Sequence, residues 1–384
     1  MSVNRKVERS GAVFWVVRWR EGEKQRSRAF DRKRDAQIFE TEIRRLRQLG
    51  ELDRLHVGNE TLATFAEEWW RVHAQPNLAP KTQQTYVWLW DRHILPYLGG
   101  LEIRRITPEI VERHQSALLA KGVGAPTVHK AITLLQTVLQ RAVIWQRIPS
   151  NPVTPIKKPT QRRTRVVRAV SPREVELLRS AMLANGRIRD ATLVSVLAYA
   201  GLRPGEALAL RWSDVRERVI HIERAVSLAE VKDTKTGRTR SVRLLRPVAD
   251  DLTTLRATVK ADELDLIFPN AAGTVWDDDD YRNWRERRFA KAVRAAKIEL
   301  GRPYDLRHAF ISLLIAEGRS IVYVASQAGH APTMTLDTYA HVIEELEAGT
   351  KTTAEDAIYA AREQHVPATF PQTPKDAVRR PTEE

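Results

Sequence analysis

Residues 155–170, PIKKPTQRRTRVVRAV, set the strongest limit on what this chain can fold into. The stretch is dense in arginine, lysine and proline and has no apolar residue recurring at helical spacing. It therefore reads as an extended basic linker suited to lying along a polyanion, not as part of a core. The patterned sequence on either side has to bury itself separately, and 384 residues already exceed the usual reach of one hydrophobic core.

On the N-terminal side, AVFWVVRWREGEKQRSRAF (12–30) alternates apolar and polar residues around a glycine-containing turn, which predicts two or three short strands. DRKRDAQIFETEIRRLRQLG (31–50) follows with Ala36, Phe39, Ile43 and Leu46 on one helical stripe and Gly50 as a stop. From Thr61 to about Val153 the text is helical, punctuated by NLAPKT, PYLGG and GVGAPT. Its last helix, Thr127 to Trp145, sets Val128, Ile132, Leu135, Val138, Leu139 and Ala142 at spacings of three and four.

Beyond the linker, Ser171 with Glu174 three residues on predicts a capped helix start. ATLVSVLAYAG reads as a buried helix, RVIHIER and RTRSVRL as strands joined by a turn at DTKTGR, and helices resume to about residue 362. The closing residues, QHVPATFPQTPKDAVRRPTEE, carry four prolines and little to bury, and are expected to be disordered. The fold class expected is multidomain α+β: a small sheet-plus-helix domain, an all-helical domain, and a mixed, mainly helical domain with a small β-sheet.

Composition narrows the chemistry. The absence of cysteine excludes disulfides, thiolate zinc sites and a cysteine nucleophile. No apolar run reaches the roughly 18 residues that cross a bilayer, and MSVNRKVERSG lacks the apolar stretch of a secretory signal, so a cytoplasmic protein is expected. The net charge of +15 is spread along the chain. With a pI near 10.1 it makes nucleic acid the leading partner, since each neutralised phosphate releases condensed counterions; a merely soluble basic protein, or one drawn to anionic lipid, is the alternative.

Four places can carry chemistry. In AYAGLRPGEALALRWSDV, Arg203 sits at a helix junction, where a guanidinium can aim two donors at a phosphate or simply pair with Glu206. Lys235 lies near the tip of the predicted hairpin, either as a solvated turn residue or as a donor of a proton to a departing alkoxide. In GRPYDLRHAFISLLIAEG, Arg307 and His308 stand near the beginning of an amphipathic helix. In GHAPTMTLDTYAH, His330 follows a glycine stop and Tyr339 rides on the helix opened by Pro332; a helical tyrosine is either a packing residue or a nucleophile.

The ordered set AGLRPGE, TKTGRTRSVRL, YDLRHAF, AGHAP and TYAH resembles the tyrosine recombinase (phage integrase) family in content and spacing. The resemblance implies an arm-type DNA-binding domain at 1–56, a helical core-site DNA-binding domain at 57–157, a basic linker at 158–170, a catalytic domain at 171–350, and a C-terminal helix and tail at 351–384. It further implies that Arg203 and Arg307 hold the non-bridging oxygens of a scissile phosphate, that Lys235 is the general acid, that His330 hydrogen-bonds the phosphate, and that Tyr339 is a movable, polar-facing nucleophile. Glu206 and His308 match supporting positions.

The chain departs from the family's His-X-X-Arg-His pattern at one place, where Tyr304 replaces the first histidine. A phenol with an ordinary pKa of about 10 is a poor base at neutral pH. Either Tyr304 only hydrogen-bonds the phosphate, or His308 or water takes the proton from Tyr339.

The implied reaction is transesterification through a 3′-phosphotyrosyl link, with no cofactor and no metal, on double-stranded DNA bearing core and arm sites. A homotetramer on DNA, assisted by a host DNA-bending protein and an excisionase and associated with the nucleoid, belongs to the same picture. Arg18, Arg26 and Arg28 are candidates for arm DNA, and Lys81, Thr82 and Lys130 for core DNA. Two competing readings stand beside it: a DNA-binding relative without catalysis, and a metal-dependent nuclease built on Asp277 to Asp280 in WDDDD. Those aspartates equally suit the start of the helix YRNWRERRFAKAV.

Overall fold

In the computed structural model the described residues are 2–7, 13–21, 23–50, 52, 57–160, 170–227, 229–233, 239–347 and 353–365. The linker residues 161–169, the turn residues 234–238 and the tail 366–384 lie outside them. The chain divides into two compact units, Met1–Arg163 and Thr164–Glu384.

The first unit opens with an antiparallel meander of β1 (Ser2–Val7), β2 (Val13–Glu21) and β3 (Lys24–Phe30), backed by α1 (Lys33–Gln48). Val17 and Trp19 alternate onto the helix side, where they meet Ala36 and Ile43, and Trp19 packs edge-on against Phe39 at 5.4 Å. Strand β1 lies outside the stretch that reads as strand. Its sequence SVNRKV is mostly polar, as a solvated edge strand can be, so alternation alone does not reveal it.

The rest of this unit is helical. α2 (Leu62–Trp69) runs through a wider turn at 70–74 into α3 (Gln75–Asn77), and α4 (Pro80–Leu89) likewise through 90–94 into α5 (Leu95–Leu98). α6 (Pro108–Ala120) starts at Thr107, whose hydroxyl accepts from the Ile110 N–H at 3.3 Å. α7 (Ala125–Ile144) is the core helix: all six residues of the expected stripe are buried on it.

The second unit begins with α8 (Pro172–Leu183), where Ser171 and Glu174 form the reciprocal capping box. α9 (Ile188–Tyr199) is buried on every side from Asp190 to Tyr199, so its text is mostly apolar and shows no stripe. After α10 (Pro204–Leu208), the strands β4 (Val219–Ile222) and β7 (Arg240–Arg243) pair antiparallel. The connection between them is more than one turn: β5 (Arg224–Ser227) and β6 (Glu230–Asp233) form a hairpin of their own. That hairpin has no Gly, Asn or Asp in its bend and instead holds Ala229 at φ 59°, so no turn signal marks it.

Helices complete the unit. They are α11 (Arg246–Thr258), α12 (Asp278–Asn283) continuing through 284–289 into α13 (Ala290–Ala295), α14 (Arg307–Ala316), α15 (Ile321–Ala328), α16 (Pro332–Glu347) and α17 (Ala354–His365). One core holds them, with Phe268, Phe289, Phe310 and Leu314 at its centre. No helix of the described residues is long and apolar enough to cross a membrane.

Candidate active site

The site is built around the end of α15. Gly329 closes that helix in the left-handed region at φ 67°, leaving its last carbonyls without helical partners and with the negative end of the helix dipole. Three arginines from three different elements take three successive carbonyls. The Arg240 Nε donates to the Gln327 carbonyl at 3.2 Å, Arg307 Nη2 to the Ala328 carbonyl, and Arg203 Nη2 to the Gly329 carbonyl at 2.7 Å. Positions far apart in sequence are thereby gathered at one turn.

Each arginine is delivered by local structure. Gly201, after α9, has φ 62°, and a Cβ there would lie 2.2 Å from the Phe310 ring, so only glycine lets α14 come this close. The chain then reaches Arg203, whose backbone N–H donates to Glu206 Oε2 at 2.9 Å and whose Nη1 donates to Oε1 at 2.7 Å. Arg203 is thus paired with Glu206 and also reaches Gly329. Arg307 opens α14 and donates through Nη1 to the Gly201 carbonyl. Arg240 projects from β7 onto Glu206 with two bonds, 2.9 and 2.7 Å.

The electrostatics are unbalanced. Three guanidinium groups face one buried carboxylate, that of Glu206. Burial pushes the Glu206 pKa up, but the hydrogen bonds and charge of Arg240, followed by those of Arg203, win and hold it at about 2. Arg307 is 2% exposed and makes no ion pair among the described residues. Burial first, then repulsion from Arg203, brings its pKa down to about 10, so it keeps its charge at neutral pH without a carboxylate partner. A buried cation in that condition is strongly predisposed to take up an anion.

Tyr339 differs from its expected polar-facing placement. Thr335 and Tyr339, four residues apart on α16, both face the core, while Leu336, Asp337 and Ala340 are exposed. The phenol is 2% exposed, and its hydroxyl is hydrogen-bonded to Nδ1 of His308, the second residue of α14. Burial raises the Tyr339 pKa, opposed by Arg307, and burial lowers that of His308 to about 4. The pair is therefore neutral phenol on neutral imidazole.

His330 is half-buried beside this group, its Nδ1 3.1 Å from the Thr335 hydroxyl. Burial, followed by the charge of Arg307, lowers its pKa. Tyr304 is 40% exposed, and its ring meets the His308 ring edge-on at 6.1 Å. Lys235 lies outside the described residues.

Sequence reasoning missed Arg240 and Gln327. The Gln327 side chain accepts from the Arg243 N–H at 2.7 Å and donates to the Ser241 carbonyl at 3.3 Å, fastening α15 to β7. Arg240 lies within TKTGRTRSVRL, closely following the hairpin lysine, and that position was a usable signal, whereas Gln327 carries no motif.

The three candidates for arm DNA do not share one face of the N-terminal sheet. Arg18 lies on the open side of the N-terminal sheet, whereas Arg26 and Arg28 pair across the strands with Trp19 and Val17, on the α1 side. Arg28 stacks over Phe30 and Phe39 at 5.2 and 5.0 Å. Lys81 and Thr82 stand in the first turn of α4, and Lys130 is exposed on α7. In WDDDD, Asp277 and Asp280 form the capping box of α12 and Asp279 pairs with Arg282. Among the described residues no group of three or more His, Cys, Asp or Glu side chains is arranged to hold a metal ion.

Residues 168–345 match the phage integrase family, and residues 61–119 match the N-terminal SAM-like domain of phage integrases. The prophage phiRv2 integrase of Mycobacterium tuberculosis is 27% identical over 337 residues, covering 82% of this chain and 84% of the relative. Among solved structures, the Tn1549 transposon integrase in complex with a circular intermediate DNA superposes with a TM-score of 0.64 at 19% identity, over 79% of this chain and 99% of that one. The lambda integrase tetramer bound to a Holliday junction gives 0.57 at 15% identity, over 85% of this chain and 95% of that one. The chain belongs to the phage integrase family of tyrosine recombinases.

Proposed function

We propose that this site-specific DNA recombinase breaks and rejoins duplex DNA with Tyr339 as nucleophile, integrating or excising a phage or other mobile element. The observation that carries the reading is the set of three guanidinium groups on the consecutive carbonyls of residues 327–329, with Arg307 buried and lacking a carboxylate. A phosphodiester seated at that turn meets the exposed edge of Arg203 and the uncompensated charge of Arg307. Planar donors of this kind bind non-bridging oxygens in pairs and stabilise the charge that grows on them in the transition state.

In this reading the Tyr339 oxygen attacks phosphorus and leaves a 3′-phosphotyrosyl link, and a 5′ hydroxyl of a partner strand reverses the step. Glu206 orients Arg203, and Arg240 holds Glu206. His330 and Tyr304 hydrogen-bond the phosphate, and Lys235 protonates the departing 5′ oxygen. Because Tyr339 is buried in the free protein, α16 has to turn or shift before the phenol can reach DNA. Four such chains act on two duplexes, a count supported by the lambda integrase tetramer bound to a Holliday junction. Residues 1–56 grip arm sites, with Arg18 on the open sheet face, and 57–157 grip core sites through Lys81, Thr82 and Lys130, with 158–170 as the basic connection. A host DNA-bending protein and an excisionase set direction.

A nicked duplex, selected from a randomised pool by binding to the full chain, releases its cleaved fragment and traps any covalent protein–DNA adduct. The adduct is expected with wild type in the presence of EDTA. A DNA-binding relative without catalysis gives none, and a metal-dependent nuclease gives cleavage that EDTA stops.

A further inference from the structure

We propose that His308 accepts the phenolic proton of Tyr339 during attack, in place of the residue at position 304. The inference rests on Tyr339 being the nucleophile. Among the described residues, the hydrogen bond to the Tyr339 hydroxyl is made by His308 Nδ1, and the two ring centroids are 5.6 Å apart. The Tyr304 ring meets that of His308 edge-on at 6.1 Å, and among the described residues its hydroxyl makes no hydrogen bond to Tyr339. The family's usual histidine is absent from position 304, and the imidazole one helical turn further along is the group on the hydroxyl.

The surroundings keep Nδ1 ready to accept a proton, although the same burial weakens it as a base until DNA arrives. Nδ1 must carry a lone pair, which requires neutral imidazole, and burial holds His308 in that form. Of the charged groups facing it, Asp305 on the turn before α14 favours the imidazolium, while Arg307, Arg302 and His330 oppose it. An arriving phosphate places negative charge beside Arg307 and removes part of that opposition. The step balances: the Tyr339 oxygen–phosphorus bond forms, the phosphorus–O5′ bond breaks, the phenolic proton moves to His308 Nδ1, and the 5′ oxygen takes its proton from Lys235. In the reverse step His308 returns the proton to the phenol. His308 therefore has a catalytic role and is more than a packing residue.

The test uses full-length protein and a selected nicked duplex whose scissile 5′ oxygen is replaced by sulfur, so that departure needs no acid. Single-turnover adduct formation is followed from pH 5 to 9 for wild type, His308→Gln, His308→Ala and Tyr339→Phe. Loss of a positioned base slows the step by about 10²–10⁴-fold. His308→Gln is expected to fall in that range and to shift its rise with pH upward, and added imidazole is expected to restore part of the rate to His308→Ala but none to Tyr339→Phe. A His308→Gln rate within about threefold of wild type with the same pH profile overturns the proposal, because a dispensable group cannot supply the rate that a positioned base does. So does a histidine-independent profile that disappears in Tyr304→Phe. An adduct formed by Tyr339→Phe instead sinks the nucleophile assignment. Should His308→Gln fail to fold, imidazole rescue of His308→Ala decides the matter: rescue supports the proposal and a folded but unrescued variant overturns it.

Discussion

Arg240 and Glu206 form a bidentate pair, 2.9 and 2.7 Å, inside the site that Arg203 shares. Their side chains are 12% and 3% exposed, so the pair is held away from water. Removing Arg240 takes two bonds from the buried carboxylate but leaves Arg203 on it, so the loss stays below the about 3–5 kcal/mol that an uncompensated buried charge costs. Arg240→Ala is expected to lower urea-unfolding stability of the second unit by less than that and to slow adduct formation. A double-mutant cycle with Glu206→Gln should give a coupling above about 1 kcal/mol, and additive effects would show that the two act separately.

Gly329 makes a second prediction. Its φ of 67° is in the left-handed region, and a Cβ would lie 3.0 Å from the Arg240 guanidinium. Gly329→Ala combines about 1–2 kcal/mol of backbone strain with a push on Arg240. A fall in cleavage larger than the fall in DNA retention is expected; equal falls would place the damage in general stability.

The C-terminal helix gives a third. Arg362 on α17 reaches Asp251 at 2.7 Å and Glu176 at 3.5 Å, and Glu176 also accepts from the Tyr199 hydroxyl at 2.7 Å. Arg362→Ala should loosen α17 and hasten its removal by limited proteolysis by tenfold or more, corresponding to about 1.4 kcal/mol of local opening. An unchanged digestion rate would mean that Ala354 and Ile358, both buried, hold the helix by themselves.

The pKa shifts give a fourth, with two windows. Glu206 is depressed to about 2, so its contribution is present above the ordinary carboxylate value of 4.5 and is lost as pH falls from there toward 2. His308 is depressed from 6.5 to about 4 because burial disfavours its charged form; stability is therefore intact above 6.5 and declines as the unfolded chain takes up a proton that the folded one refuses. Unfolding measured from pH 7 to 4 should show wild type losing roughly 2–3 kcal/mol more than His308→Gln, from a shift worth about 1.4 kcal/mol per pKa step. Parallel curves would contradict the buried neutral imidazole.

The parts of this fold that follow one-dimensional rules were legible. The stripe on α7, the capping box at Ser171 and the glycine stop at Gly329 each express a spacing or a residue type with a direct backbone consequence. The β5–β6 hairpin was not, because Ala229 takes a positive φ that its side chain does not advertise. Arg203, Arg307 and Tyr339 came from the order of five short motifs, which no one residue reveals. Arg240 and the inward turn of Tyr339 depend on which carbonyls α15 leaves open and on which face of α16 meets the core. Those are properties of packing, visible only once distant elements are brought together.

Tyr339 is expected to become covalently joined to DNA at the arginine-lined turn. Mass spectrometry of the peptide left on a trapped, nuclease-trimmed adduct reads this directly. A nucleotide attached through its 3′ phosphate to Tyr339 is expected, with no adduct from Tyr339→Phe that still retains the duplex. Attachment at another residue, or through a 5′ phosphate, would contradict it.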